Sequence, residues 1–172
     1  SISNENIQVV GYQTICNGYS TQLTFSNLQS GTAVWSTGET TDVITVNPTT
    51  NTIYSITATS TNGCIFTDSI LITVIPAVLP TTVSNRTPLD KSLNLTTPVS
   101  FSWLPGTYTT LYDIYIWEKG TTRPSIPQKS NLSSISTTYN NLASSTSYYW
   151  QIASKNACFT TLSDTLEFGV IG

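Results

Sequence analysis

The chain has 172 residues, of which only 9 % are charged; it has no histidine and a net charge of −3. Six basic residues in all cannot build the clustered Lys and Arg patch that displaces counterions from nucleic acid. No stretch approaches the ~18 consecutive apolar residues of a transmembrane helix. Polarity comes instead from Ser and Thr, about a third of the residues. Thr is β-branched and suits a half-exposed pleated surface, and no window sustains a 3.6-residue period. The fold class these features predict is all-β.

Short alternating runs recur every 8 to 12 residues between Gly, Asn and Pro clusters, the spacing of a sandwich. Thr14-Ile15-Cys16 and Gln22–Phe25 are predicted as an early strand pair. Ala33–Ser36 leads through the turn Thr37-Gly38 to Asp42–Val46, and Ile53–Thr59 follows Asn47-Pro48. Asn62-Gly63 reads as a hairpin turn, because both residue types tolerate positive φ, with Ile65–Val74 as the return strand. At Ile75-Pro76-Ala77-Val78-Leu79-Pro80 two prolines remove backbone donors and favour extended chain. The predicted division is therefore a sandwich over 1–76, a Pro-bounded linker over 77–85, and a second sandwich over 86–172. In that second part Val99–Trp103, Tyr112–Trp117, Tyr148–Ala153 and Thr165–Val170 repeat the alternation.

Domains this small bury only about 60 % or slightly more of their unfolded surface, so each needs reinforcement. The first half has two cysteines; the second has one cysteine and twelve of the aromatic residues. Large rings bury roughly 150–250 Å² each and can stand in for a crosslink.

The ordered string Cys16-Asn17-Gly18, Leu23-Thr24, Trp35–Thr41, Ile44–Pro48, Thr52-Ile53-Tyr54 and Asn62-Gly63-Cys64 resembles the Ig-like, PKD-like repeats of large secreted Bacteroidetes proteins. The second half resembles a fibronectin type III domain, through Pro98, Phe101, Trp103, Tyr112, Leu142 and the run Thr146–Ala153 followed by Asn156. The resemblances imply two tandem β-sandwiches, Ig-like then fibronectin type III-like, with Tyr148 as the tyrosine-corner residue whose hydroxyl meets backbone near the preceding turn. They further imply an internal segment of a secreted or cell-surface protein. Ser1-Ile2-Ser3-Asn4 opens as polar, strand-like sequence without the features of a signal peptide.

In an exported protein Cys16 and Cys64, which bracket the first sandwich, are expected to form a disulfide worth roughly 4 kcal/mol on the chain-entropy model; the rival state is two reduced thiols in a cytosolic protein. Cys158 reads either as a small buried hydrophobe or as a partner for another chain segment. Three cysteines without histidine or a CxxC pair do not make a four-ligand zinc site. No D-x-D-x-D-G loop is present for calcium.

Catalysis is not expected. Without histidine the Ser-His-Asp arrangement is absent, and the dispersed acids show no glycosidase-like pair; Asp113 and Glu118 come nearest, but point to opposite faces. The direct candidate for function is an aromatic surface. If Tyr112, Ile114 and Ile116 face inward, period two sends Asp113, Tyr115 and Trp117 outward, and likewise Tyr149 and Gln151 on the neighbouring strand. Flat rings beside a carboxylate and an amide suit sugar stacking; the alternative is that Trp117 packs under the Glu118–Lys129 loop or against the first sandwich. The expected role is thus a structural or adhesive module pair, a stiff spacer or display segment with no cofactor, whose partners are neighbouring domains and another surface protein or an extracellular polysaccharide. A carbohydrate-binding accessory module of a secreted polysaccharide-degrading enzyme is the alternative.

Overall fold

The computed structural model describes residues 7–172; Ser1–Asn4, expected to be strand-like, lie outside the described residues. The chain divides into two units, one ending at Ala77 and the other beginning at Val78. Every regular element among the described residues is a strand, so no helix is long and apolar enough to cross a membrane.

The first unit runs through β1 (Gln8–Gly11), β2 (Thr14–Cys16), β3 (Thr21–Ser26), β4 (Gly31–Trp35), β5 (Val43–Val46), β6 (Thr52–Ser60) and β7 (Ile65–Ile75). They form two sheets, ordered β1-β3-β5 and β2-β7-β6-β4. Period-two alternation drives the packing: Leu23, Ile44 and Val46 of the first sheet and Trp35, Tyr54, Ile56, Ala58, Ile70 and Ile72 of the second are buried in one cluster. Phe25 meets Trp35 edge-on at 5.8 Å, and Trp35 Nε1 donates to Thr41 O at 2.9 Å. The hairpin at Asn62-Gly63 uses only the glycine in the left-handed region, with Gly63 at φ 83°.

The expected Cys16–Cys64 disulfide is not formed. Cys16 ends β2, and the parallel pairing of β2 with β7 sets it beside Ile75, the last residue of β7. Cys64 precedes Ile65, the first residue of β7. At about 3.3 Å per residue, a strand of this length keeps the two roughly 35 Å apart, against the ~4.4–6.8 Å between Cα atoms that a disulfide requires. Cys64 is free and exposed, whereas Cys16 and Cys158 are disulfide-bonded; of the two readings of Cys158, it is the pairing cysteine and not the small buried hydrophobe. Native, non-reduced protein is expected to react with one equivalent of a thiol reagent, and Cys64→Ser to abolish that reaction. An unchanged reaction in the variant would contradict this assignment.

The second unit comprises β8 (Ser84–Thr87), β9 (Ser92–Leu95), β10 (Val99–Leu104), β11 (Leu111–Glu118), β12 (Lys129–Leu132), β13 (Ser136–Tyr139), β14 (Ser147–Lys155), β15 (Thr160–Leu162) and β16 (Leu166–Val170). One sheet is ordered β13-β10-β8 and the other β12-β11-β14-β16-β9, with β15 pairing β14. Phe101 is central to the core, 5.0 Å from the Trp150 ring and 5.6 Å from Phe168, while Trp103 meets Tyr112 at 5.3 Å. Burial raises the Tyr112 phenol above its ordinary pKa. Tyr148 is buried with Phe168 stacked on it, and its Oη accepts a hydrogen bond from Ala143 N at 2.8 Å, the kind of upstream backbone contact a tyrosine corner makes.

The stretch 77–85 is not a bare linker. Pro80 is fully buried and Val83 belongs to the second core. Thr81 N donates to Thr107 O at 3.0 Å, Asn156 Nδ2 donates to Val78 O at 2.8 Å, and β8 has already begun at Ser84. Proline's extended preference here serves a segment laid against the second sandwich.

The two sheets of the second unit are tied by a buried polar node. Ser163 Oγ accepts from Arg86 on β8 at 2.9 Å and from Ile152 N on β14 at 3.0 Å. The Arg86 guanidinium lies 5.7 Å from the Trp150 ring centre, and desolvation lowers its pKa against the opposing pull of Asp164 and Asp90.

Candidate functional site

The face of β11 and β14 that looks away from the core holds the aromatic cluster. Antiparallel pairing sets Trp117 opposite Tyr149, Tyr115 opposite Gln151 and Asp113 opposite Ala153, so the predicted residues share one surface. Aromatic and β-branched residues favour pleated strands through such cross-strand contacts. Trp117 and Tyr149 touch, with ring centres 5.8 Å apart and planes tilted by 52°, and both rings are half-buried.

Of the two polar groups expected at the platform's edge, Asp113 is fully engaged and Gln151 in part. Asp113 lies on the outward side, yet only 7 % of it is exposed. Its carboxylate accepts from Lys155 Nζ at 2.9 and 3.1 Å and from Asn131 N at 2.8 Å, and Lys155 also donates to Asn131 Oδ1. Gln151 Nε2 donates to Ser163 O at 2.6 Å. A carboxylate so deeply satisfied holds β11, β12 and β14 together and is not free to take a ligand, which corrects its expected role.

Sequence reasoning missed the cations. Arg123, from the loop after β11, stands over the Tyr115 ring with its guanidinium carbon 4.4 Å from the centroid. The Glu118–Lys129 loop thus reaches Tyr115, and Trp117 packs on Tyr149. Lys119 Nζ pairs with Glu167 Oε1 at 2.7 Å, and Glu167 lies opposite Tyr149 on β16. The hydrogen bond to Glu167 raises the Lys119 pKa, with the Glu167 charge adding to it, so this ammonium stays charged through neutral pH. Lys119 sits two positions after Trp117 and period two alone could have placed it; Arg123 is in a loop and carried no such signal.

Among the described residues, no three of His, Cys, Asp and Glu stand together as a metal site would need. Four of the acids have structural duties: Asp68 accepts from Val9 N at 2.7 Å, Asp90 from Glu167 N at 2.9 Å, and Asp113 and Glu167 hold lysines.

No protein-family model matches the chain, and no curated protein does. Solved structures do. The chain is similar to the FN1-FN3 domains of chicken CNTN1, with a TM-score of 0.56 and 16 % identity, covering 95 % of this chain and 64 % of that one. It is also similar to domains A168-A170 from titin, with a TM-score of 0.50 and 15 % identity over 90 % of this chain and 59 % of that one. Murine CEACAM1b gives a TM-score of 0.50 at 13 % identity, covering 96 % of this chain and all of that one. The fold is a β-sandwich of the Ig and fibronectin type III kind. The chain spans less than two thirds of the CNTN1 and titin segments, and at these identities the likeness extends to fold alone.

Proposed function

We propose that the chain is a non-catalytic spacer or display segment of a larger secreted or cell-surface protein, of the kind its first-half string resembles, with the neighbouring domains of that polypeptide as its partners. The observation that carries this reading is the division of labour in the longer strands, with exceptions such as the outward pair Ile53–Leu71. Large side chains are spent on two separate closed cores, while outward positions carry hydroxyls, as in the pairs Ser55–Ser69 and Thr57–Thr67 across β6 and β7. The described carboxylates that have partners bind backbone or lysine and do not converge on a cleft as hydrolysis requires. Disulfide-bonded cysteines suit an oxidising compartment. A broad screen of glycosidase and esterase substrates is expected to show no turnover. Turnover abolished by a single carboxylate substitution would overturn the reading.

A second reading, a carbohydrate-binding accessory module, is favoured by one observation, the outward Trp117–Tyr149 pair. Retention of the chain on an insoluble polysaccharide, lost in Trp117→Ala, is the result that supports it.

A further inference from the structure

The charge of the chain is unevenly placed. The first 77 residues carry Glu5, Glu39, Asp42 and Asp68 and no cation; all six basic residues lie from Arg86 onward. Three of those six, Lys119, Arg123 and Lys155, gather on the outer face of β11 and β14. Lys155 and Lys119 are each neutralised by an acid. Arg123 is exposed and belongs to no ion pair among the described residues. The face therefore keeps one uncompensated positive charge beside its rings, in a chain whose net charge is −3.

A neutral sugar on an aromatic platform needs hydrogen-bonding groups at the rim. Here the Asp113 carboxylate is buried under Lys155 and Asn131, and one N–H of the Gln151 amide is taken by Ser163 O. What the rim adds is a guanidinium, that of Arg123. Its place over the Tyr115 ring, 4.4 Å from the centroid, restrains the long side chain, and a guanidinium makes bidentate contacts with carboxylate or other oxyanions. Tyr115 and Trp117 are two residues apart on one strand, so Arg123 stands about 7 Å along from the Trp117 ring, within the span of adjacent sugar units.

We propose that this face binds an acidic polysaccharide, with sugar rings stacked on Trp117 and Tyr149 and a carboxylate or sulfate of the polymer held by Arg123. The proposal rests on the carbohydrate-binding reading and narrows it to one class of sugar. No bond is made or broken, and the acid pairs of Lys119 and Lys155 stay in place.

Affinity electrophoresis of the whole chain through gels containing polygalacturonate, dextran sulfate, neutral xylan or polyglutamate tests it. Retardation is expected with the two acidic polysaccharides, whose ranking tells carboxylate from sulfate, and not with xylan or polyglutamate. Trp117→Ala and Arg123→Gln are each expected to weaken binding tenfold or more, Arg123→Gln at unchanged melting temperature, and 0.5 M salt to weaken it further as charge screening requires. Equal retardation by xylan would remove the acidic-sugar inference and leave the carbohydrate reading standing. Equal retardation by polyglutamate would show attraction by charge alone and overturn the inference, as would an Arg123→Gln variant that binds like the parent. Retardation by none of the polymers would overturn the inference, and failure to be retained on an insoluble polysaccharide as well would overturn the carbohydrate reading with it.

Discussion

Trp150→Ala is expected to destabilise the second sandwich by about 3–5 kcal/mol, the range for removing a fully buried large aromatic side chain. Trp150 is 0 % exposed and is touched from one side by Phe101 and from another by the Arg86 guanidinium. Its loss opens a cavity that two sheets tied through Ser163 cannot readily close. Small domains have only about 5–15 kcal/mol in total, so the variant should lose much of its margin. The damage should also be local, because Trp150 belongs to one core and Trp35 to the other. Amide hydrogen exchange is expected to lose protection in β10, β11, β14 and β16 and to keep it in β3, β6 and β7. A milder Trp150→Phe should cost less than its volume suggests, since Trp150 Nε1 finds no hydrogen-bond partner among the described residues and the change removes that orphaned donor. Loss of protection in both units alike would refute the separation of the cores.

Lys155→Met is the second large effect. It leaves the Asp113 carboxylate, on a side chain only 10 % exposed, with Asn131 N as its remaining partner. Breaking a buried pair on one side costs roughly 3–5 kcal/mol; the Lys155 side chain is 25 % exposed, so water relieves part of this and about 2–3 kcal/mol is expected. Adding Asp113→Leu should restore some of the loss by removing the stranded charge. Recovery should be incomplete, because Asp113 also anchors β12 through Asn131. Urea unfolding of the single and double variants measures both effects. A double variant less stable than Lys155→Met would show that Asp113 matters chiefly as an anchor.

The strands that carry large side chains inward were legible in the sequence. Val99–Trp103, Tyr112–Trp117 and Tyr148–Ala153 alternate so cleanly that their inner and outer faces follow from period two, and with them the shared surface of Tyr115, Trp117, Tyr149 and Gln151. The short strands were not legible. Ser84–Thr87, Ser92–Leu95, Lys129–Leu132, Ser136–Tyr139 and Thr160–Leu162 are mostly polar, and their pairing is set by the longer strands they lie against. Chain order also misled in two places. Cys16 and Cys64 bracket the first sandwich in sequence, but β2 joins the far end of β7, which no spacing rule reveals. Pro76 and Pro80 marked the boundary, yet Pro80 is buried in the second unit, because proline signals extended chain and says nothing of what that chain lies on. At the candidate site the rings were found and their charged neighbours were not, since Arg123 comes from a loop and Lys155 reaches Asp113 diagonally across the strand pair.

The central claim is that this chain is two separately cored sandwiches strung in series. Stretching single molecules under reducing conditions tests it most directly. At about 3.5 Å per residue, unfolding of β1 to β7 should release roughly 240 Å and unfolding of β8 to β16 roughly 300 Å, in two distinct steps. One step of roughly 540 Å would mean a common core and would contradict the account.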